Sequence, residues 1–338
     1  MAAGHRLAEL WYSPSPLVLL LLPFSWLFRL LVALRRLAYD TGILPSHRMP
    51  VPVLVVGNIT VGGTGKTPLV IWLVEHLRTL GYRPGLVSRG YGGQARNWPQ
   101  QVRPDSDPAM VGDEAVLLAR RCQCPMAVGP DRVAAARALV EHHEVDIIVS
   151  DDGLQHYALQ RDMEIAVIDG VRRFGSGYCL PAGPLREPKS RLNTVDLVVA
   201  NGIGGRLEYG MRLRPGKAWR LDDPCQRREL GTFADTPVHA VAGIGHPERF
   251  FTSLAGLGIQ VIPHAFPDHH AFHARDLGFA ADGLPVLMTE KDAVKCQAIG
   301  GLQAWVVPVQ AELDERFRLQ LDRLLATLPT PVNALEQA

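Results

Sequence analysis

The chain is short of lysine. Only five of its 35 basic residues are lysines (Lys66, Lys189, Lys217, Lys291 and Lys295), so a lysine in a motif slot stands out from compositional noise. The five cysteines, Cys122, Cys124, Cys179, Cys225 and Cys296, form no C-x-x-C pair. That argues against a disulfide framework or a cysteine zinc site and reads as free thiols in a reducing compartment. The formal net charge is only +1, so no overall field argues for a nucleic-acid partner. Low-complexity tracts and internal repeats are lacking. What remains is a 338-residue globular composition, 47% hydrophobic and 20% charged, enough for one large or two medium domains.

The strongest local signal is VPVLVVGNITVGGTGKTPLVIWLVEHLRT, residues 51–79. A valine-rich run is followed by a glycine-rich turn and then by Leu69, Val70, Leu73, Val74 and Leu77 at helical spacing. The pattern reads as strand, phosphate loop and helix. Glycines allow successive amides to curl around phosphate oxygens, and the helix N-terminus adds its dipole. Lys66 is placed to reach the β- and γ-phosphates of a nucleotide and Thr67 to hold Mg²⁺. The first glycine of the usual G-x-x-x-x-G-K-[ST] pattern is missing, because Thr60 stands there. Thr60, Val61, Gly62, Gly63, Thr64, Gly65, Lys66 and Thr67 are the expected loop contacts.

Two further stretches carry chemistry. VDIIVSDDGLQH, residues 145–156, is an apolar strand ending in Asp151 and Asp152. Paired carboxylates at a strand end suit a Mg²⁺ that bridges ATP phosphates, and Gln155 follows within reach of a ligand. Gly112-Asp113-Glu114 opens a helical pattern. On the residues alone, a helix cap is the plainer reading of Asp113. In FPDHHAFH, residues 266–273, three histidines leave a zinc site, a catalytic histidine at a strand end and a polar cap all open. Arg89, Arg172, Arg173, Arg186, Lys189 and Arg191 are either solvated cations or contacts for an anionic acceptor.

The N-terminal residues 16–34, PLVLLLLPFSWLFRLLVAL, are apolar but broken by Pro23 and Arg29. The uninterrupted part falls short of the roughly 20 residues a span needs. Three readings stay open: an interfacial or half-inserted helix, a tilted span with Arg29 snorkelling, and a soluble core helix. Arginines after the apolar run place the rest of the chain on the cytoplasmic side. The expected organisation is a membrane-associated helix over residues 1–40, a phosphate-loop domain over 41–201 and a smaller α/β domain over 202–330. A polar ribbon near 202–237 would act as the hinge. The fold class is α/β, with a doubly wound, mostly parallel sheet in the first domain.

The strings VVGNITVGGTGKTP, VSRGYGG, GDEAVLLA, SDDGLQHY, VIDGVRRFG, LPAGPLRE, AGIGHPERFF, FPDHHAF and MTEKDAVKC together resemble the tetraacyldisaccharide 4'-kinase family of lipid A biosynthesis. The resemblance runs from about Trp11 to Val309. It implies transfer of the γ-phosphate of ATP, with Mg²⁺, to the 4'-hydroxyl of a tetraacylated glucosamine disaccharide 1-phosphate at the cytoplasmic face of the bacterial inner membrane. It further implies Asp113 as the base, His269 as its partner, and Arg132 and Gln155 lining the nucleotide–acceptor site. Lys66 and Thr67 would serve the phosphates, and Asp151 and Asp152 the metal. No nucleic acid and no obligate protein partner is expected. The loop is also similar to the K-G-G-x-G-K-T loop of membrane-cycling ATPase switches. Val61 stands where those carry their first lysine.

Overall fold

The structure, a computed structural model, describes residues 10–12, 16–297, 299 and 302–328. Parts of the expected terminal segments, including residues 1–9, 13–15 and 329–330, lie outside these described residues.

Val53–Gly57 is buried on both faces, which is why its valines run on without alternation. It pairs in parallel with Ile147–Asp151 on one side and Met163–Asp169 on the other. Pro84–Ser88 and Met126–Val128 extend the parallel sheet one way, ending in the antiparallel edge Gln100–Gln101. Leu197–Asn201 and Tyr209–Pro215 extend it the other way, ending in antiparallel Val309–Leu313. The helices Lys66–Thr79 and Asp113–Cys122 cover one face of this nine-stranded sheet. Arg132–His142 and the segment around residues 154–195 cover the other. The sheet is therefore doubly wound, as expected, and the phosphate loop, the glycine loop after Ser88 and the Asp151-Asp152 turn all leave the C-terminal ends of its parallel strands.

A six-stranded sheet forms the second unit. Val238–Ala242, Val261–Ala265, Val286–Thr289 and Ala304–Val307 are its parallel strands. The last helix, expected with the smaller α/β domain of residues 202–330, is Glu315–Leu325 and packs on the first unit, next to Val309–Leu313, a strand the sequence pattern did not mark. Phe317 is fully buried, with its ring centroid 5.6 Å from those of Trp72 and Tyr209. Helical periodicity shows that this helix has an apolar face but not which core receives it. The connection between units is correspondingly double. Tyr209–Pro215 and Ala218–Arg220 run beside Val309–Leu313 and Ala304–Val307, and Gly216 donates to the Pro308 carbonyl at the crossing. The hinge ribbon expected in residues 202–237 thus has two strands, and its second half comes from residues 304–313.

Leu17–Asp40 is a single helix that continues through Pro23. It is no core helix, because Leu20 is 70% and Trp26 63% exposed, with Leu19, Phe24, Leu27, Leu30, Leu31, Leu34 and Leu37 also exposed. Its opposite side docks on the larger unit. There Ser25 donates to the Cys179 carbonyl at 2.7 Å, Phe28 packs against the core, and the Tyr39 ring lies 5.8 Å from that of Tyr157.

Candidate active site

The phosphate loop is held from below by side chains rather than by its glycines alone. The buried Asn58 reaches the Gly62 carbonyl at 3.4 Å and the Thr64 hydroxyl at 3.3 Å. Asn201, from the strand end two places along the sheet, donates to the Thr64 carbonyl at 3.1 Å. Gly62 and Gly65 have φ of +96° and +94°, where side chains are strained. A Cβ on Gly65 would lie 2.7 Å from the Asn201 amide nitrogen. Thr60 bridges to Leu185, and the Val61 amide donates to the Pro184 carbonyl. These two expected nucleotide contacts are therefore tied to the LPAGPLRE segment, and the Val61 N–H is already engaged. Gln155 donates to the Asn58 carbonyl at 3.0 Å, supporting the root of the loop. Thr67 lies in the first turn of the helix that Lys66 opens.

Asp151 stands in register with Val56, immediately beside the phosphate-loop strand. Burial, reinforced by the neighbouring Asp152 charge and opposed by Lys66, pushes its carboxyl up to about 7. One of its oxygens accepts from the Ser88 hydroxyl at 3.2 Å, while the other, fully buried, has no hydrogen-bond partner. Asp152 turns back with φ +48° and meets Lys66 Nζ at 3.3 Å and Arg186 Nη1 at 3.1 Å. Burial would raise this carboxyl too, but Lys66 and Arg186 outweigh it and bring it down to about 2. Arg132 is buried and donates to the Asp152 carbonyl at 2.8 Å, so it fixes the turn from behind. An orphaned carboxylate oxygen among hard oxygen donors fits Mg²⁺. That ion needs few protein ligands when phosphates and water complete its shell. Among the described residues no cluster of three His, Cys, Asp or Glu side chains could enclose a metal ion.

Asp113 is the first residue of its helix, not the cap. Gly112 precedes it with φ +97° and ψ 144°. The carboxylate is buried and receives the Glu114 amide at 2.8 Å. His269, from the second unit, places Nδ1 3.0 and 3.2 Å from its two oxygens. Burial opposes ionisation of Asp113, yet the bond from His269 and the charge of Lys291 hold it below the usual carboxylate range. The bond to Asp113 raises His269 above its ordinary value, against burial and Lys291. The Tyr91 ring lies 5.3 Å from the imidazole. The two units also meet through Arg121 and Glu290 at 2.7 Å and through Arg249 and Asp169 at 2.7 and 2.8 Å. The structure thus brings together two residues separated by 156 positions.

Other sequence candidates have structural duties. Arg191 is buried between Glu164 and Glu187, and Arg173 chelates Glu208. Neither is free for an acceptor. Arg172 binds Asp169 and the Gly63 carbonyl. His270 turns to Asp276 at 3.1 Å, which removes it from the expected histidine cluster. The sequence reading assigned no role to Ser88, Asn58, Asn201 or Lys291. Only Lys291 carried a visible signal, as a scarce lysine inside MTEKDAVKC.

Comparison with known proteins gives a consistent result. A model of the family described as Tetraacyldisaccharide-1-P 4'-kinase matches residues 17–326. The Tetraacyldisaccharide 4'-kinase of Nitrosococcus oceani is 58% identical over 315 residues, 93% of each chain. That of Alkalilimnicola ehrlichii is 53% identical, covering 92% of this chain and 93% of the other. Among solved structures, LpxK from Aquifex aeolicus, described as an "apo" form in complex with ATP, superposes with a TM-score of 0.76. It is 27% identical, over 92% of this chain and 98% of that one.

Proposed function

The chain belongs to the tetraacyldisaccharide-1-P 4'-kinase family and is an ATP-dependent kinase of the lipid A pathway, and from that premise we propose how its residues carry out the transfer. The phosphate loop and Lys66 hold the triphosphate of ATP, with Lys66 shared between phosphate and Asp152. Thr67, Asp151 and Asp152 would hold Mg²⁺, which would neutralise charge on the phosphates. Arg186 keeps Asp152 ionised and in place. Arg132 and Gln155 act behind the site, on the backbone of Asp152 and Asn58.

Asp113 accepts the proton of the 4'-hydroxyl as it attacks the γ-phosphorus. His269 Nδ1 donates to the same carboxylate, orients it, and stabilises charge as the proton moves. The observation that carries this reading is the Asp113–His269 bond between the two units. It leaves a carboxylate ionised, buried and aligned where the units meet. Opening and closing about the two-stranded ribbon would admit the lipid and then reassemble the pair.

The exposed apolar side of Leu17–Asp40 seats the enzyme on the cytoplasmic face of the inner membrane, where a tetraacylated acceptor resides. Its length and hydropathy suit either a span or an interfacial helix.

The test follows label from γ-labelled ATP into a tetraacylated disaccharide 1-phosphate in detergent micelles. Wild type is compared with Lys66→Ala and Asp113→Asn. Labelled lipid with wild type and strong loss in both variants is expected. Full activity of Asp113→Asn would return that residue to a helix-opening role. ATP hydrolysis without labelled lipid would favour an ATPase switch.

A further inference from the structure

Lys291 sits on the second unit, in the first turn of Glu290–Cys296, and reaches across to the first. Its Nζ donates to Glu114 at 2.9 Å and Asp268 at 3.0 Å, and lies 3.3 Å from His269 Nε2. Its side chain is only 13% exposed. A lysine ammonium has donors and no acceptor. Its third partner, Nε2, must therefore accept, and the imidazole proton must sit on Nδ1, facing Asp113. The same contact disfavours a second proton on the ring, because Nε2–H would point at a cation.

We propose that Lys291 is a positioning residue for the transfer reaction: it selects the His269 tautomer that donates to Asp113 and opposes a second proton on that imidazole when the units are closed. The inference rests on the roles given above to Asp113 and His269. The charged and titratable groups around the pair are Asp113 and Glu114 from one helix and Asp268 beside His269. Lys291 and Lys295 come from the helix opposite, and Tyr91 from the glycine loop. The two lysines are the only cations in this set. Lys295 is held by Asp292 at 2.9 Å, which leaves Lys291 as the cation on the imidazole itself.

The consequence is a specific change in the pH profile. Protonation of His269 sets the acid limb of kcat. Removing the opposing charge lets the ring take its proton at higher pH, so Lys291→Met should move that limb up by roughly 1 pH unit. Below both inflections kcat should fall on the order of 10-fold relative to wild type, and by about twofold or less on the plateau side, with KM for ATP within about twofold. Lys291→Gln keeps a donor without the charge. It should shift the limb equally while retaining more of the plateau rate. Lys291→Arg keeps the charge and should leave the limb in place, so it reports even if the neutral variants fold poorly.

A uniform loss in Lys291→Met, with the limb unmoved, would make the lysine a mere clasp between the units and overturn the proposal. So would wild-type behaviour, or a shifted limb in Lys291→Arg. Asp113→Asn, run alongside, separates the two levels. If it retains full activity, the underlying site assignment is what has failed.

Discussion

Replacing Gly112 by alanine would separate the proposed Asp113–His269 pair from the nucleotide loop without touching either. Gly112 has φ +97° and ψ 144°, a combination essentially confined to glycine, which costs other residues about 1–3 kcal/mol. A Cβ there would also stand 2.5 Å from the Tyr91 carbonyl oxygen. That neighbour is backbone, so no side chain can swing aside. Either the Gly90–Gly93 turn or the start of the Asp113 helix has to move. The combined cost to stability is about 2–4 kcal/mol, and thermal unfolding should shift down by ~2–4 °C for each kcal/mol. The larger effect is on rate. Asp113 begins the helix that moves, and a displacement near 1 Å at a reacting group costs roughly 100-fold. The phosphate loop lies on another strand, so KM for ATP should stay within about twofold. The assay is transfer of label to the lipid acceptor at saturating ATP, with a melting curve on the same sample. A Gly112→Ala enzyme with kcat within about threefold of wild type would refute the claim that this backbone turn sets the position of Asp113.

Asp152→Asn removes the partner that Lys66 and Arg186 share, and kcat should fall by at least about 100-fold with the fold intact, as read by lipid phosphorylation and circular dichroism. Phe317→Ala should cost about 3–5 kcal/mol in urea unfolding. A loss below about 1 kcal/mol would show that the C-terminal helix is not part of the larger core. Stability should fall on the acid side through His156, whose imidazole burial, with Arg132 nearby, brings down to about 4. Unfolded histidine titrates near 6.5. Between those values the unfolded chain binds more protons, so this contribution is complete above pH 6.5 and is lost as pH falls toward 4. Denaturant midpoints from pH 7.5 to 4.5 should drop less steeply in His156→Gln.

How much was legible in the sequence follows from how local each feature is. The phosphate loop needs only a strand, glycines, Lys66 and a helix in immediate succession, so spacing alone determined it. Asp151 and Asp152 likewise sit at the end of their own apolar strand. Asp113 was different. Its neighbours read as a helix start, and resemblance to a family was needed to give it chemistry. The same resemblance paired Asp113 with His269, while only the tertiary structure decided the contact between them and that Lys291 closes the group from the far side. These residues lie on separate units, and no periodicity encodes the approach of two loops between them. The fate of the arginines was equally hidden, since Arg191 and Arg186 look alike in a string. One is buried against Glu164 and the other faces Asp152. The return of Glu315–Leu325 to the first core shows the same limit. A helical stripe states that apolar surface must be covered, while the choice of partner belongs to the chain's path in space.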